Sequence, residues 1–556
     1  MAHPLWFASS EPVESGPVVP IYHASASFTS QAIHKIVGQA LSQCFDEIRG
    51  DIPPEILERY GYMEEREAYR VIHLPTSAAS WQRARRTLAF REILYLQLGL
   101  MSMRQEAKRV NGPKAFSDFG PADGFLRDLP FNLTGAQERA IADIRSDVAG
   151  ESVMNRLLQG DVGSGKTVVA IYALLAAVAN GYQGALLAPT EVLARQHKRT
   201  VEVLCKDRFV FGFLSGGVGA KEKAETLARL RAGNIQVLIG THAMLEPGVS
   251  WANLGLVVTD EQHRFGVRQR LSLPETNAAF SPHLLVMSAT PIPRSLALTL
   301  FGDLDITVID ALPPGRRPVR TQVLHDRQRS IAYGKVMDEV RKGHQAYIVC
   351  PVISEGKTDR KAVLDVFEEL SRGFLKGVRL GLAHGSMSKA EVDQAMGKFV
   401  DGKIDVLVST TVIEVGIDVP NATCMVVEDA ESFGLASLHQ LRGRVGRGAS
   451  ESHCFLVSKA GGDARLRLKL LEKHHDGFQV AEMDLRNRGP GQFFGLRQHG
   501  MGETRLSDLS LSFDEIQRAR DEARRIVDCP ADSEERALVA KVKKRFGNLA
   551  TAGMSR

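Results

Sequence analysis

The sequence predicts two parallel-sheet α/β domains in tandem, with helical segments at either end. Three observations carry this reading. Short runs that are apolar on both faces alternate with helical patterns from 131 to about 310, a proline-containing break (DALPPGRRPVR, 310–320) interrupts them, and a second alternating set follows. Strands apolar on both faces belong to a parallel sheet covered by helices on each side. A chain of 556 residues also exceeds what one hydrophobic core supports, so several domains are required.

Taken in order, residues 1–110 form a helical N-terminal segment. Over 29–48, Ile33, Ile36, Val37, Ala40, Leu41 and Cys44 recur at the spacing of an amphipathic helix. PPEILERYGY follows as a Pro-started helical turn, and a second long helix spans about 77–109, with RARR at 83–86. Gly, Pro and Asp concentrate in 111–130, which reads as a linker. The first domain, 131–312, takes its strands from RLLQ, GALLAP, FVFGFL, IQVLIG, LGLVVTDE and HLLVMSAT. The second, 313–474, takes them from QAYIVCP, VRLGLAH, IDVLVST, ATCMVVED and SHCFLVS. In 475–556, Gly- and Arg-rich loops give way to charged helices such as FDEIQRARDEARRIV, for which packing against the second domain is the simple expectation.

Composition narrows the class. Hydrophobic residues at 44% and charged residues at 24% are ordinary for a globular chain and set aside disorder and fibrous repeats. A net charge of +5 permits a nucleic-acid partner without requiring one, because a binding groove depends on where basic residues gather. The six cysteines form no CxxC pair, so neither a zinc site nor a disulfide framework is indicated and a reducing cytoplasm is the expected location. No signal peptide is expected at the N-terminus. The longest apolar run, VVAIYALLAAVA at 168–179, is too short to span a bilayer, and no membrane partner is expected.

The chemistry begins with TDEQHRFGVRQR, 259–270, where Asp260 and Glu261 end the apolar run LGLVV. Adjacent acids repel each other and resist desolvation, so they mark either a solvated turn or a site for a divalent cation and an attacking water. A phosphate site elsewhere decides between these, and LLQGDVGSGKT at 157–167 supplies it. Gly160, Gly165, Lys166 and Thr167 fill the pattern GxxxxGKT, with Gly163 inside it, after a strand and before a helix. The glycines let backbone N–H groups turn toward phosphates, Lys166 places a charge near the β and γ oxygens, and the Thr167 hydroxyl can ligate magnesium. Asp260 is therefore assigned to the metal and Glu261 to orienting or deprotonating water, with ATP and Mg2+ as cofactors. His263 either couples the γ-phosphate state to the rest of the molecule or caps the turn.

The second domain carries QLRGRVGRG at 440–448, with Arg444 and Arg447 among glycines. Alone this pattern suits a solvated basic loop; beside a phosphate site it suits charge stabilisation at a phosphoryl transition state. To reach a nucleotide on the first domain, these arginines must act across an interdomain cleft.

The order GDVGSGKT, APTEVLARQH, GTHAML, DEQHRFG, SATPIPRSLALT, STTVIEVGIDVP and QLRGRVGRG resembles superfamily 2 helicases. The phrases DEQHRFGVRQR, TPIPRSLALTLFGDLD, LPPGRRPVRT and DLRNRGPGQFFGLRQHG are similar to the RecG family of branch-migrating DNA helicases, from about residue 18 onward. The resemblance implies two RecA-like domains and an ATP-dependent motor. It makes Lys166, Thr167, Asp260, Glu261, Gln440, Arg444 and Arg447 the ATP machinery and Gln137 an adenine contact. It places Thr190, Thr241 and Thr411 against the nucleic-acid backbone, Ser288 and Thr290 between hydrolysis and movement, and Gly416 and Asp418 as nucleotide sensors in the second domain. The stretch 477–502 resembles the translocation motif shared by RecG and the transcription-repair coupling translocase, with Arg488, Gln492, Arg497 and Gln498 as its working side chains on a helical hairpin. The implied partner is branched or duplex DNA, with single-strand DNA-binding protein as a further candidate, and the implied state is a monomer.

The resemblance departs at the start. RecG proteins carry an OB-fold wedge ahead of the matching region, and the residues before 29 leave no room for a five-stranded barrel. The expectation is a chain without that wedge, either a shortened form or a piece of a longer reading frame. Three functional readings follow: a helicase acting on branched DNA, a double-strand translocase that hydrolyses ATP without unwinding, and a low-activity DNA-binding remnant.

Overall fold

The computed structural model describes residues 20–22, 29–107, 112–246, 248–260, 280–289, 304–313, 318–351, 357–410, 419–448, 450–488, 513–528, 530 and 532–552. The chain divides into two compact units, one made of 1–103 with 488–556 and the other of 104–487.

The first unit starts with α1 (Ser30–Cys44), α2 (Pro54–Arg59), α3 (Glu65–His73) and α4 (Ala78–Ala107). Thr29 caps α1 by accepting from Ala32 N, as expected for a hydroxyl at a helix start. The predicted amphipathic helix thus forms, yet none of its residues is buried.

The second unit holds two sheets. The first contains β1 (Asn155–Gly160), β2 (Gln183–Leu187), β3 (Phe211–Leu214), β4 (Val237–Gly240), β5 (Leu254–Asp260), β6 (His283–Ser288) and β7 (Asp305–Ile309). Helices α5 (Gly120–Arg127), α6 (Gly135–Val148), α7 (Lys166–Ala179), α8 (Glu191–Cys205) and α9 (Ala220–Arg231) accompany it. The strands run in the order β3-β4-β2-β5-β6-β1-β7, and every described pairing is parallel. The second sheet contains β8 (Arg320–His325), β9 (Gln345–Val349), β10 (Leu380–Ala383), β11 (Val406–Ser409), β12 (Ala422–Val427) and β13 (His453–Ser458), in the order β10-β11-β9-β12-β13-β8. Its helices are α10 (Arg329–Arg341), α11 (Lys357–Arg372), α12 (Lys389–Val400), α13 (Leu435–Arg442), α14 (Gly462–Lys473) and α15 (Gly477–Arg488).

Two strands lie where the sequence pattern indicated none. β7 and β8 occupy sheet edges, and each has only two buried residues, Thr307 and Ile309 in one and Val323 and Leu324 in the other. An edge strand is covered less completely, so it does not need the continuous apolar run of a central parallel strand.

The stretch expected to be a linker, 111–130, is part of the first domain. It contains α5, and Phe116, Phe119, Ala122 and Phe125 share a core with α7 residues such as Tyr172 and Leu175. Aromatic side chains outweigh the Gly and Pro signals here because their burial is worth roughly 2 kcal/mol each.

The remaining helices, α16 (Phe513–Asp528) and α17 (Ser533–Ala552), correct a second expectation. They pack on the N-terminal helices: Ile516, Ala519, Ala523, Ile526, Leu538 and Val542 bury against Ile56, Phe90, Ile93, Leu94 and Leu98. The spacing 516, 519, 523, 526 gives α16 one apolar stripe. On the same helix Glu522 is buried, and it accepts from Arg59 Nη1 at 2.9 Å and from the Tyr60 hydroxyl at 2.8 Å. A buried carboxylate held this way pins the register of α16 on α2.

Candidate functional site

Strand register brings the predicted residues to one edge. Gln159 pairs with Ser288 and Asp260 with Met287, so β1, β5 and β6 end level with one another. The glycine-rich loop, the acid and Ser288 therefore emerge together at the carboxyl ends of the strands, where parallel α/β sheets bind ligands.

The loop has the conformation its glycines allow. Gly163 and Gly165 have φ of 77° and 85°, and a Cβ on Gly165 would lie 2.1 Å from Gln137 Nε2. Lys166 opens α7, so the helix N-terminus faces the loop. Lys166 Nζ donates to the carbonyls of Gly160 at 2.8 Å and Asp161 at 3.0 Å. The Ser164 Oγ is buried without a protein hydrogen-bond partner among the described residues. These features fit a nucleotide's phosphates, and the oxygens of Thr167 and Asp260 are the hard donors magnesium takes. Among the described residues no three His, Cys, Asp or Glu side chains cluster as metal ligands.

Asp260, the last residue of β5, is half-buried, and its Oδ2 lies 2.8 Å from His197 Nε2 on α8. Glu261, His263, Thr290, Thr411, Gly416, Asp418, Gln492, Arg497, Gln498 and the Arg488 side chain lie outside the described residues.

Gln137, expected at the adenine, is also tied to the loop. Its Oε1 accepts from Thr134 N at 2.8 Å, completing a capping box on α6, and its Nε2 donates to Ser164 O at 2.9 Å. Both ends of a side chain that is 2% exposed are thus engaged by the protein. Gln137 braces the phosphate loop, while its second Nε2 proton and second Oε1 lone pair are not used by these two bonds.

The second domain meets the loop through α13. His439 Nε2 lies 2.8 Å and 2.9 Å from the two carboxylate oxygens of Asp161. A Cβ on Gly443 would fall 2.9 Å from Val162 Cβ, so only glycine permits this approach. Gln440 and Arg444 on the same segment are buried, and Arg447 Nε donates to Gly443 O at 3.2 Å. Arg442 Nη2 lies 2.7 Å from His439 Nδ1, and its Nη1 donates to the carbonyls of Leu471 and His474. The arginine segment predicted to act across a cleft is thus seated on the phosphate loop.

Thr190 caps α8, its Oγ1 accepting from Leu193 N at 3.4 Å, which leaves the hydroxyl proton for a phosphate. Thr241 is 1% exposed, and its Oγ1 has no hydrogen-bond partner among the described residues. Sequence reasoning missed His197, His439, Arg442 and Asp161. Their signals were positional: His439 and Arg442 stand at and within HQLRGRVGRG, and His197 falls on the buried stripe with Leu193, Ala194 and Val201.

Comparison with known proteins follows this layout. Residues 134–299 match the DEAD/DEAH box helicase family, 329–449 the helicase conserved C-terminal domain, and 474–550 the C-terminal part of domain 3 of ATP-dependent DNA helicase RecG. The chain is 41% identical over 520 residues to ATP-dependent DNA helicase RecG of Bacillus subtilis, covering 92% of this chain and 76% of that protein. The chain belongs to the RecG family. It is 44% identical to the RecG of Thermotoga maritima over 512 residues, 92% of this chain and 65% of the relative. A solved structure of RecG bound to a three-way DNA junction superposes with a TM-score of 0.75 at 41% identity, covering 91% of this chain and 66% of that one. The chain spans 65% and 60% of the lengths of the Thermotoga and Synechocystis RecG proteins. The RecG domain 3 match begins at 474, the residue whose carbonyl Arg442 holds. No helix among the described residues is long and apolar enough to cross a membrane.

Proposed function

We propose that this chain hydrolyses ATP to drive a DNA helicase or translocase that acts on branched DNA, such as stalled forks and recombination junctions. The observation that carries the reading is the seating of α13 on the phosphate loop, His439 on Asp161 and Gly443 against Val162, in a chain 41% identical to a RecG solved on a three-way junction. In this reading Lys166 leaves the loop carbonyls to neutralise the β and γ phosphates. Thr167 and Asp260 would hold Mg2+, which supplies charge neutralisation and orientation when bound. Glu261 orients or deprotonates the attacking water. Arg444 and Arg447, with Gln440 beside them, stabilise charge that develops on the transferred phosphoryl group. Gly416 and Asp418 sense the nucleotide from the second domain, while Ser288 and Thr290 pass its state onward. Thr190 and Thr411 touch the DNA backbone, contacts that position without reading sequence, and Arg488, Gln492, Arg497 and Gln498 lever the duplex.

The test is ATP hydrolysis without DNA, with linear duplex and with a synthetic three-way fork, reading strand release in the same tubes and using Glu261→Gln as the blank. Stimulation by the fork with strand release is expected. Equal stimulation by linear and forked duplex without release would reassign the chain as a translocase that does not unwind. Hydrolysis indifferent to every DNA would overturn the reading.

A further inference from the structure

Helix α8 joins three places that the proposed function treats separately. Its N-cap is Thr190, the residue assigned to the DNA backbone. Its buried stripe carries His197, 4% exposed, whose Nε2 lies 2.8 Å from Asp260 Oδ2. Its outer face meets the second domain: Val192 packs on the core that contains Met396 and Phe399. Beside Val192 a groove of about 220 Å3 sets Arg195 and Arg199 of α8 opposite Asp393 and Asp401 of the second domain. His197 lies seven residues after Thr190, so close to two helical turns, about 10 Å along a rigid rod, separate the DNA end of α8 from the acid.

We propose that His197 is a positioning residue for magnesium binding: it fixes the direction of the Asp260 carboxylate, and because α8 carries it, that direction follows what Thr190 and the second domain touch. The inference rests on the assignment of Asp260 to the metal and Thr190 to DNA. A carboxylate with one oxygen tied to an imidazole N–H presents the other in a set direction, and such outer partners tune metal affinity by about 10–100-fold. A displacement of α8, through DNA at its N-terminus or closure of α12 against its face, moves His197 as part of the helix and the carboxylate with it.

The experiment uses the full chain with His197→Ala, His197→Gln and His197→Asn, and Asp260→Asn as reference. The first readout is binding of a fluorescent ADP titrated with Mg2+, which involves no turnover. The second is the ratio of ATP hydrolysis with and without duplex DNA, and thermal melting confirms folding. For His197→Ala the Mg2+ midpoint is expected to rise roughly 10-fold, with Mg2+-free nucleotide binding unchanged and DNA stimulation reduced. His197→Gln, which keeps an N–H donor near the Nε2 position, is expected to restore most of both, and His197→Asn, one methylene shorter, is not. Should His197→Ala fail to fold, the contrast between Gln and Asn decides in the same way.

A wild-type Mg2+ midpoint in the folded Ala variant, or equal midpoints in the Gln and Asn variants, would overturn the proposal while Asp260→Asn still loses Mg2+ dependence. A raised midpoint with undiminished DNA stimulation would overturn the link through α8. If Asp260→Asn binds Mg2+-nucleotide like the wild type, the metal assignment itself falls, and the proposal with it.

Discussion

In the first α/β domain the side chain of Gln183 donates from Nε2 to the carbonyls of Leu230 at 3.0 Å and Ile235 at 2.7 Å. In the second, Gln345 does the same to Phe399 at 2.6 Å and Ile404 at 2.8 Å. The match extends around each glutamine. Asn253 Nδ2 donates to Gly181 O in one domain and Asn421 Nδ2 to Gly343 O in the other, and both glycines hold positive φ after a helix. Six strands correspond in order, β2 with β9 and β5 with β12, and β7 at the edge of the seven-stranded sheet has no counterpart in the six-stranded one. At the carboxyl ends the likeness stops. β5 ends in Asp260, half-buried beside His197, whereas β12 leads into Glu428, buried beneath the Tyr333 hydroxyl that donates to it. Burial pushes the Glu428 carboxyl above its usual range. One strut thus ties helix ends to strand starts in both domains, and the opposite edge of each sheet is left to carry different chemistry.

The largest effect expected is at the edge where the domains differ. Lys166→Ala should bring ATP turnover to background with little change in melting, and near-normal turnover would remove the phosphate site from the first domain. Arg447→Ala should slow hydrolysis by as much as about 10³-fold, the scale of a transition-state arginine, while nucleotide affinity stays near wild type. Equal losses of binding and rate would show that the second domain's edge does not act at the transition state.

The shared struts predict matched, smaller effects. Gln183→Ala and Gln345→Ala each remove two hydrogen bonds to buried carbonyls, of which Leu230 O and Phe399 O keep a backbone N–H, and should each lower stability by roughly 2 kcal/mol, read from denaturant unfolding. A large loss in one domain only would break the equivalence.

The first residues of β6 and β13 offer a finer comparison. His283 is buried, accepts from Met154 N at 2.9 Å, and burial lowers its pKa to about 4. His453, at the equivalent position, is only half-buried and is lowered less far. A histidine whose folded pKa lies below its unfolded value stabilises the fold in the neutral form. That stability is present above about pH 6.5 and is lost as pH falls toward 4, at most about 2 kcal/mol between pH 7 and 5. His283→Gln should flatten the acid side of the melting profile, and His453→Gln should change it less; the reverse order would place the sensitive histidine in the other domain. Smallest of all, Glu428→Gln should cost under about 1 kcal/mol, because burial already disfavours the carboxylate and the amide oxygen can still accept from the Tyr333 hydroxyl. Asp260→Asn should abolish hydrolysis.

Periodicity and motif context made much of this visible beforehand. The central strands follow their apolar runs, and Lys166, Asp260, Arg444 and Arg447 stand in motifs whose residue types state the chemistry. Signals failed where neighbours distant in sequence decide the outcome. β7 and β8 lack continuous apolar runs because they sit at edges. The stretch 111–130 looked like a linker because its glycines and prolines are local, while the surface that buries Phe116 and Phe125 is α7, some fifty residues on. Gln137 stands in an adenine-contact motif, and the further bonds of its amide to Thr134 and Ser164 were not legible there.

By itself the sequence determined the element types, the two-domain order and the phosphate chemistry, because hydrophobic period, glycine conformational freedom and side-chain charge are properties of short stretches. Only the tertiary structure decided which groups meet. It joined α16 and α17 to the N-terminal helices, set His439 on Asp161, and set His197 on Asp260. These pairings depend on sheet order and packing, which bring together residues separated by tens to hundreds of positions, and no local pattern encodes that distance.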